Sequence, residues 1–176
     1  MYKYLIIGLG NPGSRYRYTR HNIGQLFIDF ILLRLVGEYK WEYKKNLHGD
    51  IFTFQNIIFF KPNTYMNESG LAIRNVVSFY KLKNIENIFL IYDDLDQRFG
   101  KFKINRHTPK IHFGVLSVKE SISSDQFLSI KIGIDNRDKK LQGKDYVLSK
   151  FSSQEMSIIE SDIFPKAFDM LFSLIQ

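Results

Sequence analysis

Tyr4-Leu5-Ile6-Ile7-Gly8-Leu9-Gly10-Asn11-Pro12-Gly13 decides the fold, an apolar run that ends in a glycine-rich turn. The run is short and carries no polar position, the pattern of a strand buried on both faces of a parallel sheet. Open α/β proteins bind ligands in the loops that leave the carboxyl ends of such strands. The turn therefore marks a site as well as a fold. Eight residues past Pro12 the chain reads Arg20-His21-Asn22, which brings a histidine and an asparagine close to the same turn.

The three glycines also satisfy the dinucleotide pattern Gly-x-Gly-x-x-Gly. Their context argues against a nucleotide. A nucleotide-binding turn opens directly into a helix and is followed by a second strand with an acidic end, whereas Ser14 to Arg20 is polar, basic and aromatic, and Asp29 falls inside the next helical pattern. A tight turn that needs positive φ accounts for the glycines on either reading.

Working outward, Ile23, Phe27, Phe30 and Ile31 recur at helical spacing and predict a helix from about 22 to 36, with Gly37 as its stop. Ile51-Phe52-Thr53-Phe54 and Ile57-Ile58-Phe59-Phe60 flank Gln55-Asn56 as a hairpin. Leu71, Ile73, Val76, Val77 and Tyr80 predict a second helix, and Ile88-Phe89-Leu90-Ile91-Tyr92 a short strand that runs into Asp93-Asp94. Gly100 to Ile104 reads as a strand and Asn105 to Phe113 as an irregular polar loop with His107 and His112. Val115 to Ile122 reads as a helix, Leu128 to Ile134 as a strand, and Glu155 to Ile175 as terminal helices. The order is α/β throughout, and 176 residues without repeat or linker predict one domain, 1–176.

The chain contains no cysteine, which removes thiolate nucleophiles, disulfides and cysteine metal sites and fits a reducing compartment. Apolar runs are too short for a membrane span, and no export signal is evident, so the expectation is a cytoplasmic protein without membrane contact. Twenty-five Lys and Arg against 18 Asp and Glu give a net charge of +7. The excess gathers at Arg15, Arg17 and Arg20, at Lys101, Lys103, Arg106 and Lys110, and at Arg137, Lys139, Lys140 and Lys144. Such clusters suit a polyanionic partner, or simply a solvated basic surface.

Four segments bring polar residues to loops after strands: Asn11 with His21, Tyr65-Met66-Asn67, Asp93, and the loop of His107 and His112. A histidine takes a proton from water effectively when a carboxylate holds its other ring nitrogen, and Asp93, at a strand end, suits that role. No serine sits in a Gly-x-Ser-x-Gly elbow. The pattern fits water activated by His21, with asparagine amides bonding a polarised carbonyl, which describes ester or amide hydrolysis without a covalent intermediate. Singly, each residue has a plainer use: Asn11 and Asn67 as turn or helix caps, Asp93 as an N-cap, His21 as an exposed residue before a helix. The histidines lack paired spacing, so no metal is expected.

Taken together, Gly8-Leu9-Gly10-Asn11-Pro12-Gly13, Tyr16, Thr19-Arg20-His21-Asn22-Ile23-Gly24, Pro62-Asn63-Thr64-Tyr65-Met66-Asn67-Glu68-Ser69-Gly70 and Asp93-Asp94-Leu95-Asp96 resemble bacterial peptidyl-tRNA hydrolase nearly end to end. Lys101-Phe102-Lys103, Lys131-Ile132-Gly133-Ile134 and Asp145-Tyr146-Val147-Leu148 with Phe151 agree in order. The resemblance implies one twisted, mostly parallel (mixed) sheet flanked by helices on both faces, no metal or cofactor, a monomer, and cleavage of the ester between a peptide and the ribose of tRNA. It implies His21 as the base, Asp93 as the carboxylate that stabilises its proton-accepting form, and Asn11 as the sensor of a blocked amino group. Tyr16, Tyr65, Met66 and Asn67 would line the groove for peptide and acceptor end, and Lys103 and Lys131 would hold tRNA phosphates.

One stretch departs from that pattern. Where the family carries Gly-Gly-His-Asn-Gly, this chain reads Lys110-Ile111-His112-Phe113-Gly114. Phe113 offers the substrate stacking or apolar contact in place of an amide. The departure carries an alternative of another class, a catalytically weakened RNA-binding protein on the same scaffold, similar to the chloroplast intron-splicing relatives, which gain an exposed apolar docking patch.

Overall fold

The computed structural model describes residues 2–106, 112–137 and 142–175; His107, Lys110, Ile111, Lys139 and Lys140 lie outside the described residues. Seven strands form one sheet: β1 (Tyr4–Gly8), β2 (Glu42–Lys44), β3 (Gly49–Phe54), β4 (Ile57–Pro62), β5 (Ile88–Arg98), β6 (Phe102–Asn105) and β7 (Leu128–Asp135). Their spatial order is β2-β3-β4-β1-β5-β7-β6. The central strands β4, β1, β5 and β7 run parallel, and β2, β3 and β6 pair antiparallel at the edges. The mixed sheet with a parallel centre is the architecture the resemblance implies.

Among the described residues six α-helices accompany it: α1 (Ile23–Val36), α2 (Ser69–Phe79), α3 (Phe113–Ile122), α4 (Gly143–Val147), α5 (Ser153–Ile158) and α6 (Phe164–Ser173), with a π-helical turn at Ile159–Ile163 joining the last two. Side chains of a strand alternate between faces, and β1 shows what this builds. Tyr4 and Ile6 enter a core with Phe27, Ile28 and Ile31 of α1 and Phe164, Ala167 and Leu171 of α6. Leu5 and Ile7 enter a second core with Ala72, Ile73 and Val76 of α2 and Val115 and Val118 of α3. The sheet is thus covered on both faces, and β1 together with the first halves of β4 and β5 is apolar because neither side meets water there.

The glycine turn works differently from its sequence reading. Of its three glycines only Gly13 has positive φ, at 96°. Gly8 and Gly10 are required by close approach. A Cβ on Gly8 would lie 2.4 Å from the carbonyl oxygen of Gly24, and one on Gly10 would lie 2.9 Å from the Asn22 amide. Gly24 reciprocates, since its Cβ would fall 2.3 Å from the carbonyl oxygen of Ile91. The first turn of α1 therefore rests main chain on main chain against the end of β1 and the middle of β5, two residues short of Asp93.

Two further differences concern length. β5 does not stop at Tyr92 but continues through the acidic run to Arg98, pairing with β7 across a register shift between Asp94 and Arg98. Asp93 accordingly sits within a strand, opposite Ile132 of β7, and is no helix N-cap. The helix α4 carries no legible periodicity in its five residues.

Candidate active site

His21 lies on a 3₁₀ turn, Arg20–Asn22, immediately before α1. Because that helix is seated on the end of β1 and the middle of β5, the imidazole reaches the carboxylate in β5: His21 Nδ1 stands 2.8 Å from Asp93 Oδ1. The His21 side chain is 13% exposed and that of Asp93 2%. From the opposite side His112, the N-cap residue of α3, brings its Nε2 to 3.0 Å from the same oxygen. Its Nδ1 accepts from the backbone N–H of Val115 at 3.4 Å. The Asp93 carboxylate has only acceptors, so it selects the His21 tautomer with the proton on Nδ1 and the His112 tautomer with the proton on Nε2.

Burial favours the neutral forms of His21 and Asp93, and their mutual attraction outweighs it. Desolvation works against the charged imidazole of His21, but the charge and hydrogen bond of Asp93 raise its pKa above 6.5. For Asp93, desolvation works toward a higher value. The charges of His21 and His112 and the hydrogen bonds from both rings together hold it well below the usual carboxylate range. Asp93 is ionised at neutral pH, and His21 gains a proton more readily than an isolated histidine.

Asn11 and Asn22 form a second knot. The Asn22 side chain, 1% exposed, accepts from the Asn11 backbone N–H and donates to the Asn11 carbonyl, both at 2.9 Å. Thus pinned, Asn11 turns Oδ1 to the backbone N–H of Met66 at 2.9 Å. That bond ties the glycine turn to the 3₁₀ turn Met66–Glu68 and fixes the Asn11 amide, since its oxygen must face the donor.

These groups border one cavity of about 680 Å³. Its wall includes Asn11, His21, Asp93 and His112, joined by Tyr65, Met66 and Asn67 and by Phe113 and Lys131. Leu95, Val147 and Leu148 supply apolar surface across it, with Lys144 and Asp96 as charged members. Eight of the ten residues expected from sequence thus meet in one place. Two do not. Tyr16 sits outside the wall on its own 3₁₀ turn, Ser14–Tyr16, with the Arg15 guanidinium over its ring and its carbonyl accepting from the Thr19 hydroxyl. Lys103 is exposed on edge strand β6, directly across from Lys131 of β7. Lys131 itself is only 7% exposed, so the pair reaches from the cavity to the sheet edge. Phe113, by contrast, is 67% exposed at the mouth.

His112 is the residue that sequence reasoning left without a role. It stood in an irregular loop, and only the tertiary arrangement brings it to Asp93. Among the described residues, His21, Asp93 and His112 are also the one group whose composition suits a metal ion, their ligand atoms lying within 4.8 Å of one another. Both rings direct a donor at a single carboxylate oxygen, however, which is the geometry of a hydrogen-bonded triad; a metal would require those nitrogens deprotonated and convergent on one point.

The peptidyl-tRNA hydrolase family model matches residues 5–176. Among similar proteins, the peptidyl-tRNA hydrolase of Finegoldia magna is 40% identical over 162 residues, covering 91% of this chain and 85% of the relative. That of Clostridium botulinum strain Alaska E43 is 41% identical, covering 91% and 83%. A crystal structure of peptidyl-tRNA hydrolase from Acinetobacter baumannii superposes with a TM-score of 0.78 at 29% identity, covering 95% of this chain and 83% of that one. A family match that spans the glycine turn, the histidine turn and the strand carrying Asp93 agrees with the architecture and with the cavity, and the chain belongs to the peptidyl-tRNA hydrolase family.

Proposed function

We propose that this chain hydrolyses the ester between an N-blocked peptide and the ribose of tRNA, with His21 as general base and Asp93 as its orienting carboxylate. The observation that carries this reading is the 2.8 Å contact between His21 Nδ1 and Asp93 inside the cavity. With Nδ1 donating to the carboxylate, Nε2 holds the lone pair that removes a proton from water. The hydroxide equivalent adds to the ester carbonyl, and the C–O bond to ribose then breaks. The proton returns from the imidazolium to the departing ribose oxygen, so His21 is regenerated. Asp93 remains ionised throughout and stabilises the intervening imidazolium.

Asn67, exposed on the cavity wall, has an amide able to bond the oxygen that becomes negative. Asn11 offers discrimination. Its Oδ1 is committed to Met66, so its N–H₂ group faces substrate as a donor. A blocked substrate presents an amide carbonyl where an unblocked one carries an ammonium, and a fixed donor favours the former. Lys103, Lys131 and Lys144 supply positive charge for tRNA phosphates, and Tyr65, Met66, Phe113 and Leu148 supply apolar contact. The chain then acts as a monomer without metal or cofactor, in the cytoplasm, where translation produces the substrate.

The test is single-turnover hydrolysis of an N-acetylated aminoacyl-tRNA beside its unblocked counterpart. Cleavage of the blocked ester alone, lost in His21→Ala with tRNA affinity retained, is the expected result. Exposed Phe113 is the observation that favours the RNA-binding alternative, and binding of tRNA without cleavage by the wild-type protein would establish it.

A further inference from the structure

We propose that Arg20 and Glu155 are positioning residues for His21, fixing the turn that carries the imidazole so that it meets Asp93 at bonding distance; the catalytic part of this proposal rests on the hydrolase reading above. Arg20 and His21 are adjacent on one 3₁₀ turn, and their side chains depart to different partners. His21 goes to the end of the sheet, while Arg20 goes to the start of α5, where its Nη2 meets Glu155 Oε1 at 2.6 Å. Its Nη1 donates to the Lys150 carbonyl at 3.2 Å. The guanidinium lies 4.4 Å from the ring centre of Tyr146 and 4.8 Å from that of Phe151. Arg20 is 6% exposed.

A buried ion pair is weak evidence of stability, because apolar residues of similar volume commonly do as well. What it provides is direction. The Arg20 Nε has no hydrogen-bond partner among the described residues, so the group is not optimised for its own bonding. Glu155 is unusually fixed: Oε2 accepts from the Ser152 backbone N–H at 2.7 Å, and the Ser152 hydroxyl accepts from the Glu155 backbone N–H at 3.2 Å, closing a capping box. Its Oε1 also accepts from Asn136 Nδ2 at 2.9 Å. The carboxylate cannot swing without uncapping α5. Main-chain bonds from Arg20 to Ser149 and from Phe151 to Tyr18 hold the segment in place, and the ion pair sets its rotation. In a turn of three residues, rotation at Arg20 is rotation at His21.

The same arrangement reaches the far wall. Tyr146, which lies against Arg20, belongs to α4, and α4 with Leu148 just beyond it presents Lys144, Val147 and Leu148 to the cavity. Arg20 therefore links the turn that carries His21 to the helix that supplies another part of the wall.

The experiment compares Arg20→Ala, Arg20→Lys and Glu155→Gln by kcat and KM on N-acetylated aminoacyl-tRNA, and by NMR titration of the His21 ring in the substrate-free protein. The groups against that ring are Asp93 of β5 and His112 before α3. Arg20→Ala and Glu155→Gln are expected to lower kcat about tenfold or more, since small misplacements of a catalytic group have effects of that order, with KM within about twofold. The His21 midpoint should fall toward 6.5 as its bond to Asp93 loosens. Arg20→Lys should recover part of both. If Arg20→Ala does not fold, the isosteric Glu155→Gln is read alone. Loss of thermal stability with unchanged kcat per folded molecule and an unchanged His21 midpoint would overturn the proposal. A midpoint shifted in the variants, with a wild-type protein that cleaves no ester, would support the positioning and overturn the function instead.

Discussion

Asp93→Asn removes one charge and almost no volume from the centre of the cavity. In the wild-type protein the charge and hydrogen bond of Asp93 outweigh burial and lift the His21 pKa above 6.5. The base works when neutral, so the wild-type rate falls as pH drops through that raised value. Without the carboxylate, burial of the ring acts unopposed and the pKa moves down. The acidic limb of kcat against pH should therefore move to lower pH, and a hydrogen bond to a charged group contributes about 1.5–3 kcal/mol. The same interaction stabilises the imidazolium that forms as water loses its proton, and its loss should lower the high-pH plateau about ten- to a hundredfold. The two effects oppose each other at low pH: the variant is slower everywhere, but its deficit shrinks as the medium becomes more acidic. The assay is kcat for an N-acetylated aminoacyl-tRNA from pH 5 upward, with controls for its spontaneous hydrolysis. An acidic limb that stays in place or moves upward, or a plateau that survives intact, would refute the assignment of His21 as a base held by Asp93.

Lys103→Ala should weaken tRNA binding and reduce the slope of log affinity against log salt by about one, with kcat at saturation unchanged; an unchanged slope would remove Lys103 from the phosphate contacts. Phe113→Asn puts an amide at an exposed position of the cavity mouth and should raise the rate about tenfold or more. No gain would mean that the cleft is built around the ring. Asn22→Ala strips two bonds from the Asn11 backbone and should lower stability by about 2–4 kcal/mol in denaturant titration, and it should erode the preference for blocked over unblocked substrate, because Asn11 is no longer held.

Most of the frame was legible because apolar periodicity is a local property. The hairpin at Ile51–Phe60, the helix from Ile23 and the strand from Leu128 each bury a regular set of side chains, and each stands where the pattern puts it. The acidic end of β5 was hidden for the converse reason: Asp93 to Asp96 reads as loop, and only pairing with β7 makes it strand. Glu42–Lys44 and Gly143–Val147 are too short and too exposed for either period to register. In the cavity, His21, Asn11 and Asp93 were expected together because their residue types suit one reaction, and the structure brings them to one wall. His112 was not expected with them, because its partner is set by the approach of α3 to β5. Tyr16 and Lys103 stood in the right motifs, but a motif does not reveal which side of a turn or strand faces the cleft.

The glycine contact between α1, the end of β1 and the middle of β5 has a mechanical consequence. With Gly24 pressed onto the Ile91 carbonyl and Gly8 onto that of Gly24, no side-chain layer separates the first turn of the helix from the sheet, so nothing at that contact can compress or repack. His21 and Asp93 are thereby carried on one tightly joined unit. Room to accept peptides of different shape is left to the rim, where Tyr65, Phe113 and Leu148 stand 52%, 67% and 44% exposed. A tightly joined anvil with an exposed rim can change what it accepts without disturbing how it strikes.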